Sequence, residues 1–452
     1  MDWKNRMEQK IDVDSTFRRF RIQEVATMTI VYAIFYVCRL AFSAAKKDMI
    51  ELGSYTAEEI GWVGSSMLIA YAIGKCVNGF IADRANITRF MGLGLFASAL
   101  MNFLVGFHLP ALILIAIWFV NGWTQGMGAP ACVVGLSRWF TKRERGTFYG
   151  IWSCSNNIGE ALAYLLTAGV MVWVAKSFGA DYGWRSGFWG AGLIGFIGVA
   201  ICLIFFKNSP QDEGLPSVTE WKGEVEVAAQ ETKDVSKGQV IALTSWAVWM
   251  IALSGAFFAM SRYAIIDWGI FFLQVKKGYS ATTAAMIIAI NSIVGGFAGA
   301  ASGWISDRFF RGGRNGLALT FGLMNVVSLC LFMLVPGQHM WVDVLAMCLF
   351  GTAMGILLCF LGGLMAVDLV PRNAAGAAMG VVAFLSYGGA AAQSRVSAMF
   401  IETAKEGGKL ASTFKTTTLF GFTVDTIAIF WIGMAVLSVL CALSVWRVKP
   451  RD

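Results

Sequence analysis

The chain has 452 residues, of which 57% are hydrophobic and only 14% charged, and its formal net charge is +8. Soluble domains carry about 25% charged residues, so this composition excludes a water-exposed globular enzyme; fifty glycines and seventeen tryptophans fit helices packed within a bilayer, with aromatics at its interfaces. No Walker loop, nucleophile elbow, Cys/His dyad or metal-ligand cluster occurs at the required spacing, so neither enzymatic chemistry nor a cofactor or metal is expected.

Residues 1–21 are charged and end in Phe17-Arg-Arg-Phe-Arg21, without the short apolar core of a cleavable signal. Residues 14–22 read as a short interfacial helix, aromatics toward headgroups and arginines toward anionic lipid. Apolar runs then follow that are long enough to span a bilayer: roughly 24–46, 59–81, 89–108, 110–137, 146–174, 187–206, 243–274, 282–305, 316–335, 340–369, 374–400 and 420–446. The expected fold class is an all-α membrane protein of twelve transmembrane helices in two six-helix repeats. The polar stretch 207–242 separates an N-terminal half, 1–206, from a C-terminal half, 243–452. With the N-terminus inside, twenty-three Lys and Arg lie in inner segments and nine in outer ones. The positive-inside rule therefore puts both termini in the cytoplasm. The net charge reflects this bias, and no nucleic-acid partner is expected. The nine cysteines (Cys38, Cys76, Cys132, Cys154, Cys202, Cys330, Cys348, Cys359 and Cys441) sit in apolar runs and read as packing residues.

The two halves repeat. Gly79-Phe-Ile-Ala-Asp-Arg84 and Gly303-Trp-Ile-Ser-Asp-Arg308 are offset by 224 residues, Arg39 and Arg262 by 223, and the Gly-x-x-x-Gly pairs at Gly146 and Gly376 by 230. Parallel repeats of this kind place a ligand near the midplane between halves. In each loop motif the glycine admits close helix approach. Asp83 and Asp307 are placed to accept from a helix N-terminus, and Arg84 and Arg308 to pair with a carboxylate, forming a latch on the cytoplasmic side. Arg39 and Arg262 are the costly residues, since a guanidinium does not shed its proton to enter lipid. They are expected to face a water-filled cavity and together bind a doubly charged anion. Tyr32, Tyr36 and Arg39 share one helix face, and Tyr71 and Lys75 form an i, i+4 pair.

The loop motifs resemble those of the major facilitator superfamily. Further stretches resemble one family within it, the organophosphate:phosphate antiporters, which include bacterial glycerol-3-phosphate and hexose-phosphate transporters and a related sugar-phosphate sensor. These are Phe17-Arg-Arg-Phe-Arg-Ile-Gln23, Tyr32-x3-Tyr36-x2-Arg39, Ile69-Ala-Tyr-Ala-Ile-Gly-Lys75, Gln125-Gly-Met-Gly128, Lys142-Arg-Glu-Arg-Gly-Thr147, Trp152-Ser-Cys-Ser-Asn-Asn-Ile-Gly159, Pro210-x3-Gly-Leu-Pro216, Arg262-Tyr-Ala-Ile-Ile-Asp-Trp268 and Ala374-Ala-Gly-Ala-Ala-Met-Gly380. The resemblance implies a bacterial inner-membrane antiporter, monomeric, with organophosphate and inorganic phosphate as ligands. Arg39 and Arg262 would clamp the phosphate, Lys75 would add a charge near the pathway, and Tyr32, Tyr36, Tyr71 and Tyr387 would line the cavity. Arg forks and a Lys point charge suit phosphate oxygens independently of that resemblance.

The sequence also departs from the family. Asn156 stands where a histidine is usual, Leu40 where a lysine is usual, and Ser292 where an acidic residue is common; Cys359-Phe-Leu-Gly-Gly363 replaces a Gly-Pro-Gln stretch. Glu160 occupies a position where the family tends to have glycine. It could neutralise a cationic substrate group, pair with Lys75 or an arginine, or carry a proton. Arg395, near the outer end of the eleventh span, is expected to snorkel outward. Besides exchange, two readings remain open: a membrane sensor of a sugar phosphate, which would partner a histidine kinase, and a proton-coupled symporter of another organic anion.

Overall fold

A computed structural model describes residues 2–141, 144–222, 243–310, 314–361, 365–367, 369, 375–406, 409–419 and 422–446. It is mostly helical. The long helices are α1 (Asp2–Glu51), α2 (Ala57–Arg84), α3 (Ile87–Val105), α4 (Ala111–Gln125), α5 (Gly128–Trp139), α6 (Arg145–Phe178), α7 (Ala180–Phe205), α8 (Trp246–Val275), α9 (Ala281–Phe310), α10 (Arg314–Leu334), α11 (Met340–Cys359), α12 (Ala375–Met399) and α13 (Thr426–Ser444). Among the described residues, eleven spans are long and apolar enough to cross a membrane, with α4 and α5 counted as one. Helix α12, rich in Ala, Gly and Ser, is not one of the eleven.

Local chemistry sets the boundaries. Helix α1 closes on Gly53 in the left-handed region (φ 71°). Helix α2 opens with a capping box: the Glu59 amide donates to the Thr56 hydroxyl at 3.2 Å, and the Thr56 amide donates to the Glu59 carboxylate at 2.8 Å. Where the expected fourth span should be continuous, the helix breaks at Gly126–Met127. Gly126 lies against the Lys75 backbone nitrogen, which a Cβ would approach to 2.7 Å. The break thus coincides with a close crossing of α2.

Three expectations are corrected. The separate interfacial helix at 14–22 does not exist as such, because it continues into the first span as one 50-residue helix. The tenth span ends as regular α-helix at Cys359 rather than 369. The all-α expectation missed two antiparallel hairpins between α12 and α13. In these, β1 (Ile401–Glu406) pairs with β2 (Lys409–Phe414), and β3 (Thr416–Leu419) with β4 (Phe422–Asp425). Phe414 buries its ring against Phe271 and Phe272 of α8 at 5.8 and 5.5 Å. The Ser412 amide donates to Glu51 at the end of α1 at 3.4 Å.

Helices α1–α7 pack on one another, as do α8–α13, and the two sets meet along α2 with α12, α6 with α9, and α1 with α8. At α6–α9, the Asn157 side chain sits 3.2 Å from where a Cβ on Gly296 would be. Of the expected linker, residues 223–242 lie outside the described residues. Its first part docks on the first set: Trp221 stacks on Phe17 at 4.4 Å, and Lys222 lies 3.6 Å from Glu144. Glu144 also accepts from Arg21 at 2.8 Å. Partial burial pushes the Glu144 carboxyl up, but Arg21 and Lys222 outweigh it and hold the group below the ordinary carboxylate range. The stabilisation is complete above that range and is lost as pH falls through the depressed value. Replacing Glu144 by Gln is expected to speed tryptic cleavage after Lys222 severalfold at pH 8; an unchanged rate would mean that aromatic stacking alone holds the segment.

Candidate functional site

The site residues come from α1, α2, α6, α8, α9 and α12. Arg39 is 7% exposed and lies over the Tyr71 ring at 4.0 Å, with Tyr36 at 5.6 Å. Its buried Nη2 makes no hydrogen bond. Lys75 places its Nζ 3.4 Å from the Tyr387 hydroxyl, and within 5.8 and 5.5 Å of the Tyr71 and Tyr387 ring centres. Tyr71 meets Tyr387 edge-on at 5.1 Å. Tyr387 meets Tyr263 at 6.5 Å, and Arg262 lies 5.7 Å from the Tyr263 ring. A continuous wall of tyrosines thus links the cation of the first set to that of the second. An aromatic face stabilises a cation without neutralising it, and the Arg39 Nη2 donor remains available.

One carboxylate enters this group. Glu160, on α6, accepts from the Ser292 hydroxyl of α9 at 2.7 Å, and its other oxygen lies 3.9 Å from Arg262 Nη2. The preceding residue, Gly159, lets α6 approach α1; a Cβ there would sit 2.6 Å from the Ala33 carbonyl oxygen. Of the roles open to Glu160, pairing with an arginine is the one the structure shows.

The other sequence candidates fall out unevenly. Tyr36 and Tyr71 belong to the aromatic wall, whereas Tyr32 is packed between Tyr36 and Trp152 at 5.7 and 5.0 Å, with Gly128 pressed against its ring. Asn156 is half-buried and its side-chain oxygen has no hydrogen-bond partner. Lys75 is exposed and holds its Nζ beside the Tyr387 hydroxyl. Arg395 is not among the site residues: it pairs with the exposed Glu58 in the first turn of α2 and lies 5.0 Å from the Trp62 ring. Arg84 is exposed in the last turn of α2. The side chains of Asp83, Asp307 and Arg308 lie outside the described residues.

Sequence reasoning missed a second ionic cluster, one or two turns along the same helices. Lys46 is fully buried and donates to Asp267 of α8 at 2.5 Å, and Asp267 also accepts from Ser394 of α12 at 2.5 Å. Ser43 donates to the Ile266 and Asp267 carbonyls at 2.6 and 2.8 Å, and Ser65 to the Ala391 carbonyl at 2.7 Å. With Arg395–Glu58, these contacts close the two sets against each other at the end carrying the α1–α2 turn. The signal was present: Lys46 follows Arg39 by seven residues, and so shares its helix face.

Residues 28–394 match the Major Facilitator Superfamily. The chain belongs to that superfamily. It is 33% identical to the membrane sensor protein UhpC of Salmonella typhimurium, over 84% of this chain and 85% of that one. It is 31% identical to a probable hexose phosphate transport protein of Chlamydia pneumoniae (85% and 86% covered) and 31% identical to a glycerol-3-phosphate transporter of Bacillus subtilis (84% and 86%). Among solved structures, the xylose transporter XylE from E. coli, in a partially occluded inward open conformation, superposes with a TM-score of 0.68 at 15% identity, over 96% of this chain and 98% of that one. That likeness carries the superfamily fold alone.

A buried cation stripped of its partner costs about 3–5 kcal/mol. Asp267→Asn is therefore expected to open the closed end. Spin labels at the exposed Leu52 and Met399 should gain a longer-distance component in Asp267→Asn, and Lys46→Met combined with Asp267→Leu should return the short distance. An unchanged distance distribution in the single variant would show that this pair does not hold the sets together.

Proposed function

We propose that the chain is a secondary transporter that exchanges an organophosphate for inorganic phosphate by alternating access. Under this reading it crosses the bacterial inner membrane twelve times, with α12 as the eleventh span and both termini cytoplasmic. The halves 1–206 and 243–452 move about the site as a monomer, joined by the linker 207–242. The observation that carries the proposal is the group Arg39, Lys75 and Arg262. These three cations come from both helix sets and are joined by a tyrosine wall; Glu160 stands beside Arg262, and the Asp267 carboxylate that lines a cavity with Arg39 and Tyr263 is taken by Lys46. Similarity to hexose phosphate and glycerol-3-phosphate transporters supports phosphate as the shared head group.

The mechanism follows from charge. The empty site holds cations that aromatic rings stabilise but do not neutralise, and closing both ends over them removes water from uncompensated charge. A bound phosphate supplies the missing anion: Arg39 and Arg262 offer guanidinium forks from opposite sets, Lys75 a point charge, and the tyrosine hydroxyls further donors. Closure is then favoured with either anion bound and disfavoured without one, which makes exchange obligatory. Asp83, Arg84, Asp307 and Arg308 would close the cytoplasmic end, as Lys46 and Asp267 close the other. Asn156, with its unpartnered oxygen, and Tyr32, behind Tyr36, would support the cavity wall.

A second reading has its own support in the similarity to a membrane sensor protein. Here the same site would bind the ligand tightly without moving it, and the chain would act through a histidine kinase. Proteoliposomes separate the two. Vesicles loaded with phosphate should take up labelled glycerol 3-phosphate or glucose 6-phosphate, and unloaded vesicles should not. Equal uptake without internal phosphate would defeat exchange, and binding without any flux would favour the sensor. Arg39→Lys should lower exchange about 10–100-fold, because it removes a bidentate charged hydrogen bond worth about 1.5–3 kcal/mol.

A further inference from the structure

The position of Glu160 adds a constraint on the ligand that the exchange reading leaves open. Its carboxylate is 4% exposed, held at one oxygen by Ser292 at 2.7 Å, and stands 3.9 Å from Arg262 Nη2. That separation exceeds hydrogen-bond length, so Glu160 reaches Arg262 by its field and leaves the guanidinium donors free. The nearby Lys46 and Asp267 cancel each other at 2.5 Å and contribute no net charge. Arg39, Lys75 and Arg262 together carry three positive charges, and Glu160 removes one. The site therefore presents two, the charge of one phosphate monoester above its second ionisation near pH 6.

We infer that Glu160 sets the charge of the ligand. The site takes a single dianionic phosphate group on an uncharged polyol or sugar, and it rejects phosphate esters that also carry a carboxylate or a second phosphate. A third negative charge would lie close to Glu160 with no cation left to meet it, in a cavity walled by tyrosine rings. An uncompensated charge there is costly. This inference rests on the exchange reading for the identity of the head group. It goes beyond that reading in naming what the rest of the molecule must lack.

Glycerol 3-phosphate and 3-phosphoglycerate test it, since they differ by a hydroxymethyl against a carboxylate. Each would be used to displace labelled inorganic phosphate from the purified full-length protein in lipid nanodiscs at pH 7.5. The wild type should prefer glycerol 3-phosphate by at least about tenfold. Glu160→Gln should shrink that ratio by about tenfold through tighter binding of 3-phosphoglycerate. Ser292→Asp, which adds a second carboxylate at the same spot, should widen it. A role for Glu160 in packing alone would weaken both ligands alike and leave the ratio fixed in both variants, which would overturn the inference. Phosphate binding by the wild type without discrimination between the two esters would overturn it alone. Absence of phosphate binding would overturn the exchange reading together with it.

Discussion

A guanidinium has no neutral form available inside a membrane, and the surroundings of Arg39 and Arg262 answer to that constraint. In a core built only of aliphatic side chains, each would cost several kcal/mol with nothing returned. Here Arg39 lies over Tyr71 and beside Tyr36, and Arg262 beside Tyr263. Ring faces lower the cost without neutralising the charge, and the buried Nη2 of Arg39 has no hydrogen-bond partner. Such a site is stable enough to exist and still carries excess positive charge. The backbone serves the same end: Gly159 lets α6 cross close to α1, and the next residue is Glu160. The crossing that narrows the cavity also delivers its carboxylate.

The two ionic clusters do different work because their charges are matched differently. Lys46 and Asp267 touch at 2.5 Å and are neutral as a pair, so they need no ligand and can hold the sets together in its absence. Breaking them exposes two charges that water solvates well, so the cost of opening is far below what their buried attraction alone suggests. The cations around Tyr71 and Tyr387 are unmatched, and an anion changes their energy in every conformation that removes water from them. A tie indifferent to ligand beside a site that favours one is an arrangement the proposed alternating access would use. Both arise from helix faces only one or two turns apart on α1 and α8.

Much of this was legible in the sequence, and the gaps have physical causes. The arginines stood out because charge in an apolar run is rare, and Arg39, Tyr36, Tyr71, Lys75 and Tyr387 do come together. Tyr32 shared the face of Arg39 by spacing, yet Trp152 and Gly128 of other helices claimed its ring. Spacing along one helix cannot show what packs against it. Lys46 falls at the very end of the expected first span, where the apolar run stops, although α1 continues to Glu51 and buries it completely. Hydropathy marks where lipid would end, and it does not mark where protein ends. The hairpins left a local signal as well: Ile401–Glu406 and Lys409–Phe414 flank Gly407-Gly408, a two-residue turn signature between strand-length runs. It was masked by reading the whole stretch as a connection between spans.

Glu160 shows how a single residue changes meaning once its neighbours are known. By sequence it was an expensive carboxylate with three open roles. In the structure it sits across the junction of the two sets, bonded to α9 from α6, with Arg262 of α8 within reach of its field. Ser292 holds one carboxylate oxygen at 2.7 Å while the other stands 3.9 Å from Arg262, beyond hydrogen-bond length, so the arginine's donors stay open to a ligand. Glu160 lowers the positive charge without filling the place of the anion. A site with three free cations would hold any polyanion tightly and release it slowly, whereas one reduced to two is neutralised by one phosphate group and by nothing larger in charge. The proposed exchange between two anions needs each to leave as readily as the other arrives. A carboxylate pinned just beyond hydrogen-bonding distance is a direct way to meet that need.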